Sequence, residues 1–143
     1  MNRCVLDASV ALKWYVPEVH SDLAMQVLES HQAGDLALHV PDLFLAEAGN
    51  ILWKKVRRGE LSERDMEDIS RSLLSVPKTV YSTELLLPAA LKLARALDTT
   101  VYDSLYLALA GLLDCPLITA DRKLWRAVSR TRWSKHVRWI GEI

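Results

Sequence analysis

Residues 99–121 read TTVYDSLYLALAGLLDCPLITAD, and this stretch decides the fold. From Val101 to Leu113 the chain is apolar on nearly every side of a helix, the pattern of a helix buried on all faces. The Pro116-Leu117-Ile118-Thr119 run that follows is too short for a second helix and reads as a compact buried strand. Asp121 comes one residue after that strand and stands at the head of a further helix over 121–128. A buried helix feeding a buried strand is the signature of a parallel βαβ unit.

The rest of the chain repeats the alternation. Arg3-Cys4-Val5-Leu6 is a β-like run that stops at Asp7. A short helix over 9–15 ends near Pro17, and a longer one over 19–33 carries Leu23, Val27 and Leu28 on one face with Gly34 past its end. Leu36–Val40 fits a second strand, and Pro41-Asp42 opens a helix over 43–58 closed by Gly59. Ser62 and Asp65 have the spacing of a capping box. Val76–Tyr81 fits a short strand, 84–97 another helix, and Val137–Ile140 a last strand. The expectation is an α/β three-layer sandwich, with a central, mainly parallel sheet and helices on both faces. With 143 residues, half of them hydrophobic, and no repeat or Pro/Gly-rich linker, residues 1–143 are expected to form a single domain.

Charge and cysteine content narrow the function classes. The net charge is zero, yet residues 1–121 hold 17 acids against 11 bases, while 122–138 hold seven bases and no acid. Such a segment suits an anionic partner, although a solvated surface also explains a charge run. Cys4 and Cys115 both lie beside apolar runs and read as buried, reduced thiols. No cysteine or histidine spacing suggests zinc. The N-terminus lacks a signal-peptide core, and no apolar run reaches the ~20 residues of a membrane helix, so a cytoplasmic protein is expected.

In an open parallel sheet, ligands bind beyond the carboxyl ends of the strands. Asp7 and Asp121 both fall there, and each also suits a helix N-cap. Asp103 follows Thr100 at capping-box spacing, yet it enters an otherwise apolar helix with no base within a turn. Glu47 shares a helix face with Leu43, Phe44, Asn50 and Ile51, where a carboxylate is costly unless it is paired or bound to a cation. Lys13 and Lys54 are the candidate partner bases. Gathered at one edge, four such acids would repel and raise one another's pKa, and a hard divalent cation such as Mg²⁺ or Mn²⁺ is the simple compensation. Such ions serve phosphoryl transfer. Ser9 and Thr119 place hydroxyls at the same edge, and Asn50 lies one turn past Glu47, so all three are candidate supporting residues.

In these residues the chain resembles the PIN-domain ribonucleases, and most of all the VapC-type toxins of bacterial toxin–antitoxin pairs. The matching stretches are Val5-Leu6-Asp7-Ala8-Ser9, then Pro41-Asp42-Leu43 leading to Glu47 and Asn50-Ile51-Leu52, then residues 102–110, YDSLYLALA, and Pro116-Leu117-Ile118-Thr119-Ala120-Asp121. The resemblance implies a PIN fold and a Mg²⁺- or Mn²⁺-dependent endoribonuclease. It assigns the acidic quartet to Asp7, Glu47, Asp103 and Asp121, and it implies homodimerisation and inhibition by a small VapB-like antitoxin. Ser104 departs from the Ala that many relatives carry at that place.

Arg122, Lys123 and Arg126 follow Asp121 directly and are the expected RNA contacts, since bases beside rings are what a single-stranded RNA groove uses. The tryptophans of the same segment are expected in the core or at a dimer face. Lys54-Lys55-Arg57-Arg58 closes the helix of Glu47, where the macrodipole alone accounts for bases. Met25, Leu28, Ile69, Leu73 and Leu74 are expected to line a groove for an antitoxin helix. An aspartyl phosphatase would want a second Asp at position 9, where Ser stands, and a phospho-receiver domain would want paired acids early and a late Lys. The remaining alternative is a non-catalytic PIN-like binding module that sequesters RNA or a protein partner.

Overall fold

The computed structural model describes residues 2–143. Five strands, β1 (Asn2–Leu6), β2 (Leu36–Pro41), β3 (Thr79–Tyr81), β4 (Leu117–Thr119) and β5 (Val137–Trp139), form one sheet in the order β3-β2-β1-β4-β5. Every pairing is parallel. Among the described residues, seven α-helices connect and cover the strands: α1 (Ala8–Ala11), α2 (Ser21–Gln32), α3 (Leu43–Arg57), α4 (Glu63–Ser75), α5 (Thr83–Leu97), α6 (Val101–Leu113) and α7 (Arg122–Ser129). The α/β sandwich expected from the alternation is the fold observed.

Consecutive residues of β1 and β4 point to opposite faces of the sheet, yet Cys4, Val5, Leu6, Leu117, Ile118 and Thr119 are all buried. Both faces of the central strands are therefore covered, as a parallel sheet requires. Helix α6 is the inner wall, with every residue from Ser104 to Ala110 buried. Ser104 sits in that wall fully buried, and its hydroxyl has no hydrogen-bond partner. Both thiols are free and buried, as expected. Glycines with positive φ follow two helices, Gly34 (φ 82°) after α2 and Gly59 (φ 76°) after α3, where left-handed backbone ends a helix at little cost.

The chain lays down β1, β2 and β3 outward to one side, then returns to place β4 and β5 on the other. The reversal lies between β1 and β4. Asp7 leaves β1 there, and Asp121 follows β4 there. No helix among the described residues is long and apolar enough to cross a membrane.

The structure refines one local expectation and corrects another. Asp42 stands at the start of α3 but does not cap it; its carboxylate accepts hydrogen bonds from the backbone N–H and hydroxyl of Thr83 and ties α3 to α5. Leu73, expected to line an outer groove, is only 3% exposed because it fills the chain's own core, whereas neighbouring Leu74 is 63% exposed. Met25, Leu28 and Ile69 are half-buried.

Candidate active site

Asp7 and Asp121 do cap helices, and in each a single carboxylate oxygen does the capping. Asp7 Oδ1 accepts from the Ser9 N–H at 3.2 Å, and Asp121 Oδ1 accepts from the Leu124 N–H at 3.1 Å. The capping and site readings of these residues are thus compatible. Thr119 links the two: its hydroxyl donates to Asp7 Oδ2 at 2.8 Å and accepts from the Asp121 N–H at 3.0 Å. Ser9 Oγ accepts from the Ala120 N–H at 3.3 Å, which fixes the β4–α7 turn against α1. Both expected hydroxyls therefore hold the edge in shape.

Asp103 does not cap α6; Thr100 does, accepting from the Asp103 N–H at 3.1 Å. The Asp103 carboxylate meets the Thr99 hydroxyl in a long contact of 3.5 Å, and the Thr100 and Thr99 hydroxyls both favour its charged form. Glu47, in the middle of α3, pairs with neither Lys13 nor Lys54. Lys13 turns to Glu18 and the Val19 carbonyl instead. The partner of Glu47 is Tyr106, whose hydroxyl donates to Oε1 at 2.6 Å.

The sequence reading missed Tyr106. Its one signal was a phenol inside an otherwise apolar buried helix, because a buried Tyr hydroxyl usually finds a partner. Burial, reinforced by the charges of Asp7 and Glu47, pushes the Tyr106 pKa far above its ordinary value, so it stays a hydrogen-bond donor.

All four carboxylates line one cavity of about 250 Å³, together with Ser9, Asn50 and Lys54. Asn50 is exposed there and makes no side-chain hydrogen bond to an acid. Among the described residues, none of the four acids has a basic nitrogen within 4 Å. Burial pushes the Asp7 carboxyl up to about 6, opposed by the bonds from Thr119 and Ser9 and aided by the charges of Glu47 and Asp103. Burial also raises Glu47, with Asp103 adding to the effect, and raises Asp103, with Asp121 adding. Asp7, Glu47 and Asp103 thus each feel a neighbouring acid, which is the repulsion expected of a shared edge.

The donor set is all oxygen, carries up to four negative charges and lacks an ion-paired base, which suits a hard divalent cation. It is not a closed cage: among the described residues, no three His, Cys, Asp or Glu side chains converge closely enough to hold a metal ion as they stand. Mg²⁺ tolerates such a set because it keeps several of its waters.

Of the expected RNA contacts, Lys123 is the one that shares a depression with two of the acids. It lines a neighbouring depression of about 510 Å³ whose wall includes Asp103 and Asp121. Arg122 turns the other way, with its guanidinium 4.8 Å from the centre of the Trp139 ring, and Arg126 is exposed in the last turn of α7. The tryptophans pack as expected, with Trp125, Trp133 and Trp139 partly buried against the core.

Residues 4–130 match the family model described as PIN domain. The chain is 37% identical over 124 residues to Ribonuclease VapC3 of Pyrobaculum aerophilum, covering 85% of this chain and 92% of that one. It is 29% identical over 126 residues to Ribonuclease VapC1 of Mycobacterium tuberculosis, covering 87% and 90%. In three dimensions it is similar to the crystal structure of PAE2754 from Pyrobaculum aerophilum, with a TM-score of 0.67 at 23% identity over 99% of this chain and 85% of that one.

Proposed function

The chain belongs to the PIN-domain family, and on that premise we propose that it is a Mg²⁺- or Mn²⁺-dependent endoribonuclease, the toxin of a type II toxin–antitoxin pair. The observation that carries this reading is the cavity lined by Asp7, Glu47, Asp103 and Asp121 with no ion-paired base among them. The ribonuclease names of its relatives agree with it.

The four carboxylates are the residues that would hold the metal. When bound, the metal supplies Lewis-acid assistance to phosphodiester hydrolysis and offsets charge on the phosphate. The chain's own residues set the geometry. Thr119 holds the second oxygen of Asp7 by donating to it, and Ser9 anchors the turn that carries Asp121. Tyr106 holds Glu47 in a single orientation, as outer hydrogen bonds do for metal-binding carboxylates. Lys123 lies on the adjoining wall, where it can meet a phosphate and draw the strand towards the acids.

The second reading, a non-catalytic binding module, rests on the open arrangement of the four acids. A cleavage assay separates the two: purified protein should cut single-stranded RNA with Mg²⁺ or Mn²⁺, and EDTA should stop it. Undiminished cleavage in EDTA would refute the metal mechanism, and absence of cleavage with both metals would favour the binding module.

We place a homodimer and a VapB-like antitoxin among the partners. The support is apolar side chains left outside the core, including Trp53 (48% exposed), Leu74 (63%) and Leu91 (52%). A groove lined by exposed apolar groups suits an amphipathic partner helix. An Arg from such a partner would pair with the acids.

A further inference from the structure

Helix α3 ends in Lys54, Lys55, Arg57 and Arg58, and the macrodipole was sufficient reason for bases there. The structure separates the four. Lys55 is committed to structure: its ammonium lies 3.6 Å from Glu18 and 3.5 Å from Glu60. Lys54, Arg57 and Arg58 are exposed, have no carboxylate within 4 Å among the described residues, and together line a trough of about 300 Å³. The helix dipole favours charge near a helix end; it does not gather three unpaired bases around one trough.

The position of the trough gives it a use. Lys54 lines the trough and also the acidic cavity, so the two share a wall. On the far side, Asp103 and Asp121 line both the acidic cavity and the depression that holds Lys123. Three depressions therefore run in series: the basic trough, the acidic cavity, and a depression in which Lys123 stands beside Asp98, Asp103 and Asp121. An acidic cavity on its own repels a polyanion. The α3 bases offset that repulsion by displacing phosphate counterions on one side, and Lys123 adds a single contact on the other.

We infer that this series is the path of a single-stranded RNA, which crosses the acids with its flanking phosphates on Lys54, Arg57 and Arg58 at one end and on Lys123 at the other. The inference rests on the ribonuclease reading and adds the route of the substrate. From Glu47 to Arg58 the helix rises roughly 16 Å at ~1.5 Å per residue, so the α3 wall supports a run of backbone rather than one phosphate. The recess between the α3 bases and Lys123 favours a flexible strand that can bend into it over a rigid duplex, whose bases are paired and stacked.

The test is binding, measured apart from cleavage. A fluorescent 12-nucleotide oligouridylate is titrated with the chain in EDTA over a range of salt concentrations. The triple variant Lys54→Ala/Arg57→Ala/Arg58→Ala should bind at least tenfold more weakly. Its salt dependence should flatten by about two in the slope of log K against log salt, since each single-strand phosphate contact contributes about 0.7. A charge-matched control, Lys92→Ala/Arg95→Ala/Arg132→Ala, removes exposed bases elsewhere and should stay within twofold of wild type. Equal effects of the two triples, or no binding by wild type, would overturn the path. So would poly-glutamate of equal charge displacing the RNA at equal concentration, which would mark a protein-docking face. Metal-dependent cleavage with an unaffected α3 triple would break the path and leave the ribonuclease reading intact. Binding that weakens as expected in a chain that never cleaves would do the reverse.

Discussion

Two regions share the carboxyl edge of the sheet and are built on opposite terms. Between β1 and β4 lies the acidic cavity, whose four acids have no basic nitrogen within 4 Å among the described residues, and where Asp7, Glu47 and Asp103 are pushed up by burial and by neighbouring acids. Beside it, at the end of β5, lies an aromatic corner. Trp139 pairs in register with Thr119, so the two regions are one strand apart. In the corner Trp125 stacks on Trp139 with ring centres 5.8 Å apart, His20 meets Trp139 edge-on at 5.2 Å, and Arg122 lies over the same ring. Gly141 makes this packing possible, because a Cβ there would sit 2.4 Å from a Trp139 ring carbon. The corner satisfies its groups, while the cavity leaves them in want of a counter-charge. Adjacent residues mark the border: Asp121 belongs to the cavity and Arg122 to the corner. Proximity in sequence therefore does not establish a shared role.

The largest expected effect is a double dissociation between these regions. Asp103→Asn should lower metal-dependent cleavage by about a hundredfold or more, as loss of a metal ligand does, with little change in melting temperature. Trp139→Ala should do the opposite. It should cost on the order of 2–4 kcal/mol of stability, below the full cost for a wholly buried ring, and spare the activity of each folded molecule. Melting curves and single-turnover cleavage on both variants provide the comparison. If Trp139→Ala suppressed cleavage as deeply as Asp103→Asn at a temperature where it is folded, the corner would belong to the RNA surface and the division would fail.

The fold was legible because its core elements announce themselves one at a time. Helix α6 is apolar all round and β4 is a short apolar run, so each could be recognised without knowing its neighbours. The four acids were legible for a related reason: each breaks an apolar pattern or ends a strand. Relations between elements distant in the chain were not legible. Tyr106 and Glu47 are 59 residues apart, and nothing local to either names the other. The bases after Asp121 could not all be read as one groove, because successive residues of a helix point about 100° apart. Arg122 and Arg126, four apart, share a face, and Lys123 faces elsewhere, towards the acids. The same limit hid the division of labour in α3, where Lys55 is drawn away by Glu18 from another part of the chain.

A smaller effect sharpens the account of the cavity. Tyr106 acts through Glu47, to which its hydroxyl donates, and is a positioning residue for it. Tyr106→Phe keeps the ring in its buried slot and removes only the donor. Mn²⁺ affinity, measured by calorimetric titration, should fall by about tenfold, in line with other partners of metal-binding carboxylates. The loss of stability should be about 1 kcal/mol, one hydrogen bond's worth. A purely structural phenol would change the melting temperature and leave the Mn²⁺ affinity at its wild-type value, which would remove Tyr106 from the site.

The smallest effect tests whether the cavity weakens the metal-free fold. The folded pKa of Asp7 is pushed up to about 6 from an ordinary 3.8. Between those values the folded state holds more protons than the unfolded state, so stability falls as pH rises through the window. Glu47 and Asp103 are shifted in the same direction and add to the fall. His39 acts the other way: burial and Arg3 lower its pKa, so acid favours the unfolded state as pH drops below its ordinary 6.5. Whole-protein melting therefore mixes opposing contributions, and a difference between two variants isolates one. Asp7→Asn cannot ionise, while wild type carries a charged Asp7 at pH 7. The melting temperature of metal-free wild type should match that of Asp7→Asn near pH 4 and drop below it by pH 7, by the equivalent of about 2 kcal/mol. The gap should close when Mg²⁺ is added, because a ligand bound only by the native state stabilises it and the variant has lost part of the site. A constant gap from pH 4 to pH 7 would mean that Asp7 is as comfortable in the cavity as the rings are in the corner, and that the contrast between the two regions is one of shape rather than charge.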